Sequence, residues 1–161
     1  ARFKLPRPMK GRPGCHFSFS GLKTAVRHAA HALPEGDFKD QDVADLCASF
    51  QAAAGDVLVD RLGNGLKQFT DLLGKPTALV AAGGVAANQY LRQCLEGLAQ
   101  QWEVPLAAPP LALCTDNAAM IAWAGLERLQ LSLTDDLDFA PRPRWPLDPD
   151  APAAAYAGVK A

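Results

Sequence analysis

Residues 77–110, TALVAAGGVAANQYLRQCLEGLAQQWEVPLAAPP, change period twice within a short span. A short apolar run ends in two glycines, a helical repeat follows, and a second short apolar run, VPLAAPP, closes the stretch. Two strands in one sheet joined through a helix must run parallel, with a right-handed crossover, and the helix must cover the sheet. A further helix is predicted over TDNAAMIAWAGLERLQL, so the order strand, helix, strand, helix assigns the chain to the α/β class. Ligands in such folds gather where strand ends meet helix starts. The turns at Gly83 and at Asp116 both occupy that kind of position.

Before this block, Val43, Leu46, Cys47, Phe50, Ala54, Val57, Leu58, Leu62, Leu66, Phe69 and Leu72 recur every three or four positions. They predict one long amphipathic packing helix from Asp37 to Gly74, or two joined near Gly63 and Gly65, because each interior glycine weakens a helix by about 1 kcal/mol. HFSFS alternates as a short strand would. SGLKTAVRHAAHAL has helical spacing, with Ser20 placed to cap it and Pro34 and Gly36 to end it. After Ala140 five prolines fall in twenty-one residues, so 141–161 is expected to be an extended or disordered tail.

At 161 residues, 49% hydrophobic and 20% charged, the chain can bury one sizeable core. No apolar run reaches the roughly 20 residues that cross a bilayer, so no membrane partner is expected. Cys15, Cys47, Cys94 and Cys114 form no CxxC pair and read as small, buried, reduced thiols of a cytoplasmic protein. The net charge of -1 conceals an asymmetry. Arg2, Lys4, Arg7, Lys10, Arg12, Lys23, Arg27 and all three histidines lie within residues 1–34, a stretch that contains no acid. Such a front end can contact phosphates, or it can be an ordinary solvated surface.

Gly83 and Gly84 permit close approach of a ligand to the backbone, or simply make a tight strand-to-helix turn. Asn88, in the first turn of the next helix, can donate and accept toward a sugar or base. In CTDNAAMIAWAG, Thr115 is placed as the N-cap with Asp116 and Asn117 in the first turn. There an acid is either stabilised by the helix dipole or free to ligate a metal. His28 and His31 lack the spacing of four and the glutamate of a helical zinc motif. No phosphate loop, nucleophile elbow or zinc-finger spacing is present, and no catalytic residue is assigned.

RFKLPRPM, FSFSGLKTAV, AAGGVAANQYLR and CTDNAAMIAWAG, in this order over residues 2–131, resemble the C-terminal half of the TsaD family. These are tRNA threonylcarbamoyladenosine synthase subunits, also labelled glycoprotease or O-sialoglycoprotein endopeptidase. The resemblance implies a helix-rich C-terminal part of an actin-like ATPase and sugar kinase type lobe, incomplete over 1–140. It implies transfer of a threonylcarbamoyl group from threonylcarbamoyl-adenylate to the exocyclic amine of the adenosine beside the tRNA anticodon. Asn88 then contacts the adenylate, Gly83 and Gly84 line its pocket, and Asp116 is a ligand to one divalent metal, usually iron. Ser20 and Lys23 lie in a family motif near the cleft without a firm role.

The family's His-x-x-x-His ligands and phosphate loops belong to its other half, and His16, His28 and His31 do not match them. The chain is therefore expected to begin in mid-domain, to hold an incomplete metal site and to be inactive alone. Its implied partners are tRNA, the adenylate, the missing N-terminal lobe and other subunits of the threonylcarbamoyladenosine synthesis complex. The basic front end is expected to face acids, substrate phosphates or tRNA in the complete enzyme. A metalloprotease and a non-catalytic interaction lobe are the competing readings.

Overall fold

The structure, a computed structural model, describes residues 2–34 and 36–140. The tail expected over 141–161 lies outside the described residues. Four α-helices and two strands follow in order: α1 (Leu22–His31), α2 (Asp40–Leu73), β1 (Leu79–Val80), α3 (Gln89–Gln101), β2 (Leu106–Ala107) and α4 (Ala118–Gln130). Single 3-10 turns at Gly84–Ala87 and Leu111–Leu113 precede α3 and α4. The fold is thus helix-rich mixed α/β, with β1 and β2 parallel as the double change of period requires. Leu79 pairs with Leu106 and Val80 with Ala107. The chain divides into two compact units between Thr115 and Asp116.

In the first unit α2 is the scaffold. It runs unbroken through Gly63 and Gly65, which resolves the choice between one helix and two. Packing accounts for this: a Cβ on Gly63 would stand 3.9 Å from Leu98, and one on Gly65 3.6 Å from Cys15, so both glycines lie against neighbours. Gly55 is tighter still. A Cβ there would meet Tyr90 at 3.0 Å and the Cys94 sulfur at 3.1 Å, so α3 can approach α2 only because Gly55 has no side chain. α3 turns Leu91, Leu95, Leu98 and Ala99 inward at helical spacing.

The opposite side of α2 is covered by the chain's own beginning. Arg2 donates to Asp42 at 2.6 Å and to Asp45 at 3.0 Å. The Phe3 amide donates to the Ser49 hydroxyl, Arg7 to Asp56 at 2.9 Å, and the Gly11 amide to Asp60. Asn64 donates to the carbonyls of Arg12 and Gly14. Residues 42, 45, 49, 56, 60 and 64 are spaced as one helical face. Residues 2–14 are therefore a strap laid parallel to α2, with Leu5, Leu22 and Ala53 as the apolar core beneath it. Arg61 is fully buried where the strap ends and donates to the carbonyls of Arg12 and Gly14 as well as to Asp60.

These pairings bias the carboxylates. The Arg2 guanidinium holds Asp45 below its ordinary pKa, and Asp45 and Asp42 raise Arg2 further. Burial pushes Asp60 upward, but the Arg61 guanidinium and the Gly11 amide outweigh it and the net direction is down.

Three local expectations fail. HFSFS forms no strand, and Phe17 and Phe19 each remain 45% exposed, so its alternation has no sheet face to serve. Ser20 does not cap α1; Gly21 occupies that position at φ 81, a left-handed conformation suited to glycine, and no side chain caps the helix. The cysteines are uneven: all four are free thiols and Cys114 is buried as expected, yet Cys47 is exposed.

In the second unit α4 buries no residue. Met120, Ile121, Trp123, Leu126 and Leu129 are all exposed on it. No described helix is long and apolar enough to cross a membrane.

Candidate functional site

The chain leaves β1 through Ala81, whose amide donates to the Ala107 carbonyl, and then needs a sharp change of direction. Gly83 provides it at φ 82, and the following 3-10 turn is closed by Ala86 N donating to Gly83 O at 3.0 Å. A Cβ on Gly83 or Gly84 would meet no atom within 4 Å. Crowding therefore does not explain these glycines; open space stands beside them.

Asn88 follows as the N-cap of α3, one step earlier than the first-turn position expected for it. Its Oδ1 accepts from the Leu91 amide at 3.0 Å and its Nδ2 donates to Gln51 Oε1 at 3.0 Å. A backbone amide can only donate, so the cap fixes which end of the Asn88 side chain is oxygen, and Gln51 must then present its carbonyl. One N–H of Asn88 remains for another acceptor.

Beside this amide pair lies a cavity of about 700 Å³. Val26, Leu46, Cys47 and Phe50 form its walls, and Lys23, Gln51 and Asn88 are its polar groups. A cavity of this size with apolar walls and few polar groups is the usual form of a small-molecule site. The structure thus brings Lys23 and Asn88 together, while Gly83, Gly84 and Ser20 do not line this cavity. Ser20 is exposed, and its amide donates to the Ser18 hydroxyl.

Two residues escaped sequence reasoning. Gln51 is one, since nothing local signals a partner 37 positions away. Arg92 is the other. Its guanidinium donates to Ala86 O and Pro109 O, both at 3.1 Å, and approaches the Cys114 sulfur at 3.5 Å. It thereby ties the turn after β1 to the loop after β2, and the buried Cys114 thiol, directed at Pro109 O, completes the clamp.

Asp116 belongs to the second unit and is exposed. Asn117, not Thr115, caps α4, with Oδ1 accepting from the Met120 amide at 3.0 Å. Asp116 therefore precedes the cap, and the first turn of α4 contains no acid. Its carboxylate has no hydrogen-bond or ion-pair partner among the described residues. Among those residues, too, no three His, Cys, Asp or Glu side chains cluster as metal ligands would. One carboxylate does not fit a transition-metal site on its own.

The model of one protein family, TsaD: tRNA N6-adenosine threonylcarbamoyltransferase, matches residues 1–123. Curated relatives carry the same description. The chain is 61% identical to one from Rhodospirillum rubrum over 161 residues, which is 99% of this chain and 44% of that protein. It is 59% identical to one from Rhodopseudomonas palustris (95% and 42%) and 60% identical to one from Methylobacterium nodulans (96% and 44%). The chain thus spans less than half the length of these relatives. A match that runs from the strap through both strand-end turns and into α4 shows that the chain belongs to the TsaD family.

Proposed function

We propose that this chain is part of a tRNA-modifying acyltransferase and forms the wall of its adenylate site. The relatives are named for threonylcarbamoyl transfer to N6 of a tRNA adenosine; with threonylcarbamoyl-adenylate, the donor implied by the family resemblance, the N6 amine attacks the carbamoyl carbon. The new C–N bond replaces the carbonyl bond to the phosphate oxygen, AMP leaves, and the amine loses one proton. The observation that carries this reading is the glycine turn leading into an amide pair, Asn88 and Gln51, at the edge of a roofless cavity that also holds Lys23.

Each group has a task suited to its chemistry. The uncommitted N–H of Asn88 donates to an acceptor on the nucleoside, Phe50 offers a flat apolar wall, and the Lys23 ammonium makes the rim of the cavity positive. The open space at Gly83 and Gly84 lets ligand atoms reach the backbone of the turn. Asp116 is assigned as one of several ligands to the iron implied by family resemblance. The described residues alone do not fit that metal, so no step is routed through it.

On this reading the fold is one lobe of an actin-like ATPase type enzyme, and residues outside this chain supply the opposite lobe. Other subunits of the threonylcarbamoyladenosine synthesis complex are its partners, and the work is cytoplasmic. The relatives are named as transferases and not as proteases, which favours this reading over a metalloprotease.

The test uses a full-length protein of the relatives' size that carries these residues. Asn88→Asp keeps an oxygen for the α3 cap but removes the N–H donor and adds a negative charge. AMP affinity by calorimetry is expected to fall at least about tenfold, the ~1.4 kcal/mol scale of a hydrogen bond to a charged or strongly polar group, with little change in melting temperature. Unchanged AMP affinity would overturn the assignment.

A further inference from the structure

Of the seven basic residues before position 35, three are engaged by α2: Arg2 by Asp42 and Asp45, and Arg7 and Lys10 by Asp56. These three cations of the strap therefore face acids, one of the surroundings expected for the basic front end. The remaining charge is arranged differently.

α1 turns Leu22, Ala25, Val26 and Ala29 toward Leu5 and Ala53. Its other side presents Lys23, Thr24, Arg27, His28 and His31, all exposed. Lys23, Arg27 and His31 are spaced four apart, so they stack along one ridge about 12 Å long. No acid occurs in α1, and neither Lys23 nor Arg27 forms an ion pair with a described residue. A face of this composition is not one that apolar packing covers, because burying unpaired charge is costly. It is also continuous with the candidate site, since Lys23 lines the cavity beside Asn88.

We propose that the solvent face of α1, through Lys23, Arg27, His28 and His31, docks the phosphate backbone of the tRNA substrate next to the adenylate cavity. The inference rests on the reading of the chain as part of a tRNA-modifying enzyme. Lys23 and Arg27 supply the charge, and the imidazoles donate hydrogen bonds to phosphate oxygens. A backbone-binding ridge that begins at the cavity holds the nucleic acid where its adenosine can reach the carbonyl to be attacked.

The experiment measures binding of unmodified tRNA to the full-length protein by filter binding across a salt series. Lys23→Gln combined with Arg27→Gln is expected to weaken binding about tenfold and to reduce the slope of log Kd against log salt by about 1 to 2, one phosphate contact per cation lost. Arg27→Glu alone is expected to act in the same direction. Lys67→Glu is the control. It is exposed on α2, fourteen residues past Ala53 and so about 21 Å along the helix axis, and is expected to leave both quantities unchanged.

If the wild-type protein does not bind tRNA, the tRNA-modifying reading falls and the docking face with it. If it binds tRNA and the Lys23→Gln/Arg27→Gln variant retains wild-type affinity and slope, the docking face alone is overturned. An equal loss from Lys67→Glu overturns it as well, because the effect would then be one of overall charge.

Discussion

α2 and α4 are both read from the sequence as apolar, regularly spaced helices, and the fold treats them in opposite ways. α2 buries seven residues, among them Ser49, Ala53, Val57 and Arg61, because the strap covers one side and α3 another. α4 buries none, and Trp123 on it is 69% exposed. Its apolar residues do not define one stripe. Met120, Ile121, Trp123, Leu126 and Leu129 point around the whole circumference, which is the composition of a helix enclosed in a larger body. Periodicity states which surface needs cover; it does not state where the cover comes from. For α2 the cover is in this chain, and for α4 it is not among the described residues.

That contrast sets the size of expected effects in the full-length protein. The largest belongs to Trp123→Ala: enclosed by the rest of the enzyme, the indole should be worth about 3–5 kcal/mol by urea unfolding, and a cost near zero would mean that α4 stays exposed. Arg61→Ala comes next on α2, since it strips the Arg12 and Gly14 carbonyls and Asp60 of their shared donor. A loss of about 3 kcal/mol is expected from breaking this buried pair, with the urea midpoint as the readout.

Gly55→Val probes the other side of α2, where a side chain would collide with Tyr90 and Cys94. Overpacking of this kind costs about 1–3 kcal/mol, and a neutral result would mean that α3 sits further away than described. The smallest effect is electrostatic. The half-exposed Arg7–Asp56 pair should give a coupling of only about 0.2–1 kcal/mol in a double-mutant cycle.

Acid should release the strap in a defined window. Asp45 and Asp60 titrate below the ordinary carboxylate value of 3.8, so their stabilisation is complete above that value and is lost as pH falls beneath it. Stability contributed by the strap is therefore expected to be flat from neutral pH to about pH 4 and to decline below that. A decline beginning near pH 6 would implicate other groups.

The elements with a strong period were legible: α2, α3, α4 and the parallel pair β1 and β2 all form where spacing predicts. Caps were less so. Ser20 and Thr115 are good capping residues, but the backbone enters α1 through a left-handed Gly21 and α4 through Asn117, and entry geometry decides which side chain reaches the free amides. The strap carried a signal that the basic front end alone could not convey. Acids at 42, 45, 56 and 60 share one helical face of α2 and match Arg2, Arg7 and Lys10 in order, which points to an intramolecular zipper.

Gly83, Gly84 and Asn88 in the first unit, and Asp116 in the second, could be singled out from local pattern. Gln51 and Arg92 could not, because their roles depend on which helices and loops meet.

The most direct measurement of the central claim is single-turnover transfer of labelled threonylcarbamoyl from its adenylate to tRNA by the full-length protein, alongside Asn88→Asp and the 161-residue chain alone. The account predicts transfer by the full-length protein, a drop of at least about tenfold for Asn88→Asp with the fold intact, and no transfer by the chain alone. Robust transfer by the chain alone, or wild-type rates from Asn88→Asp, would contradict it.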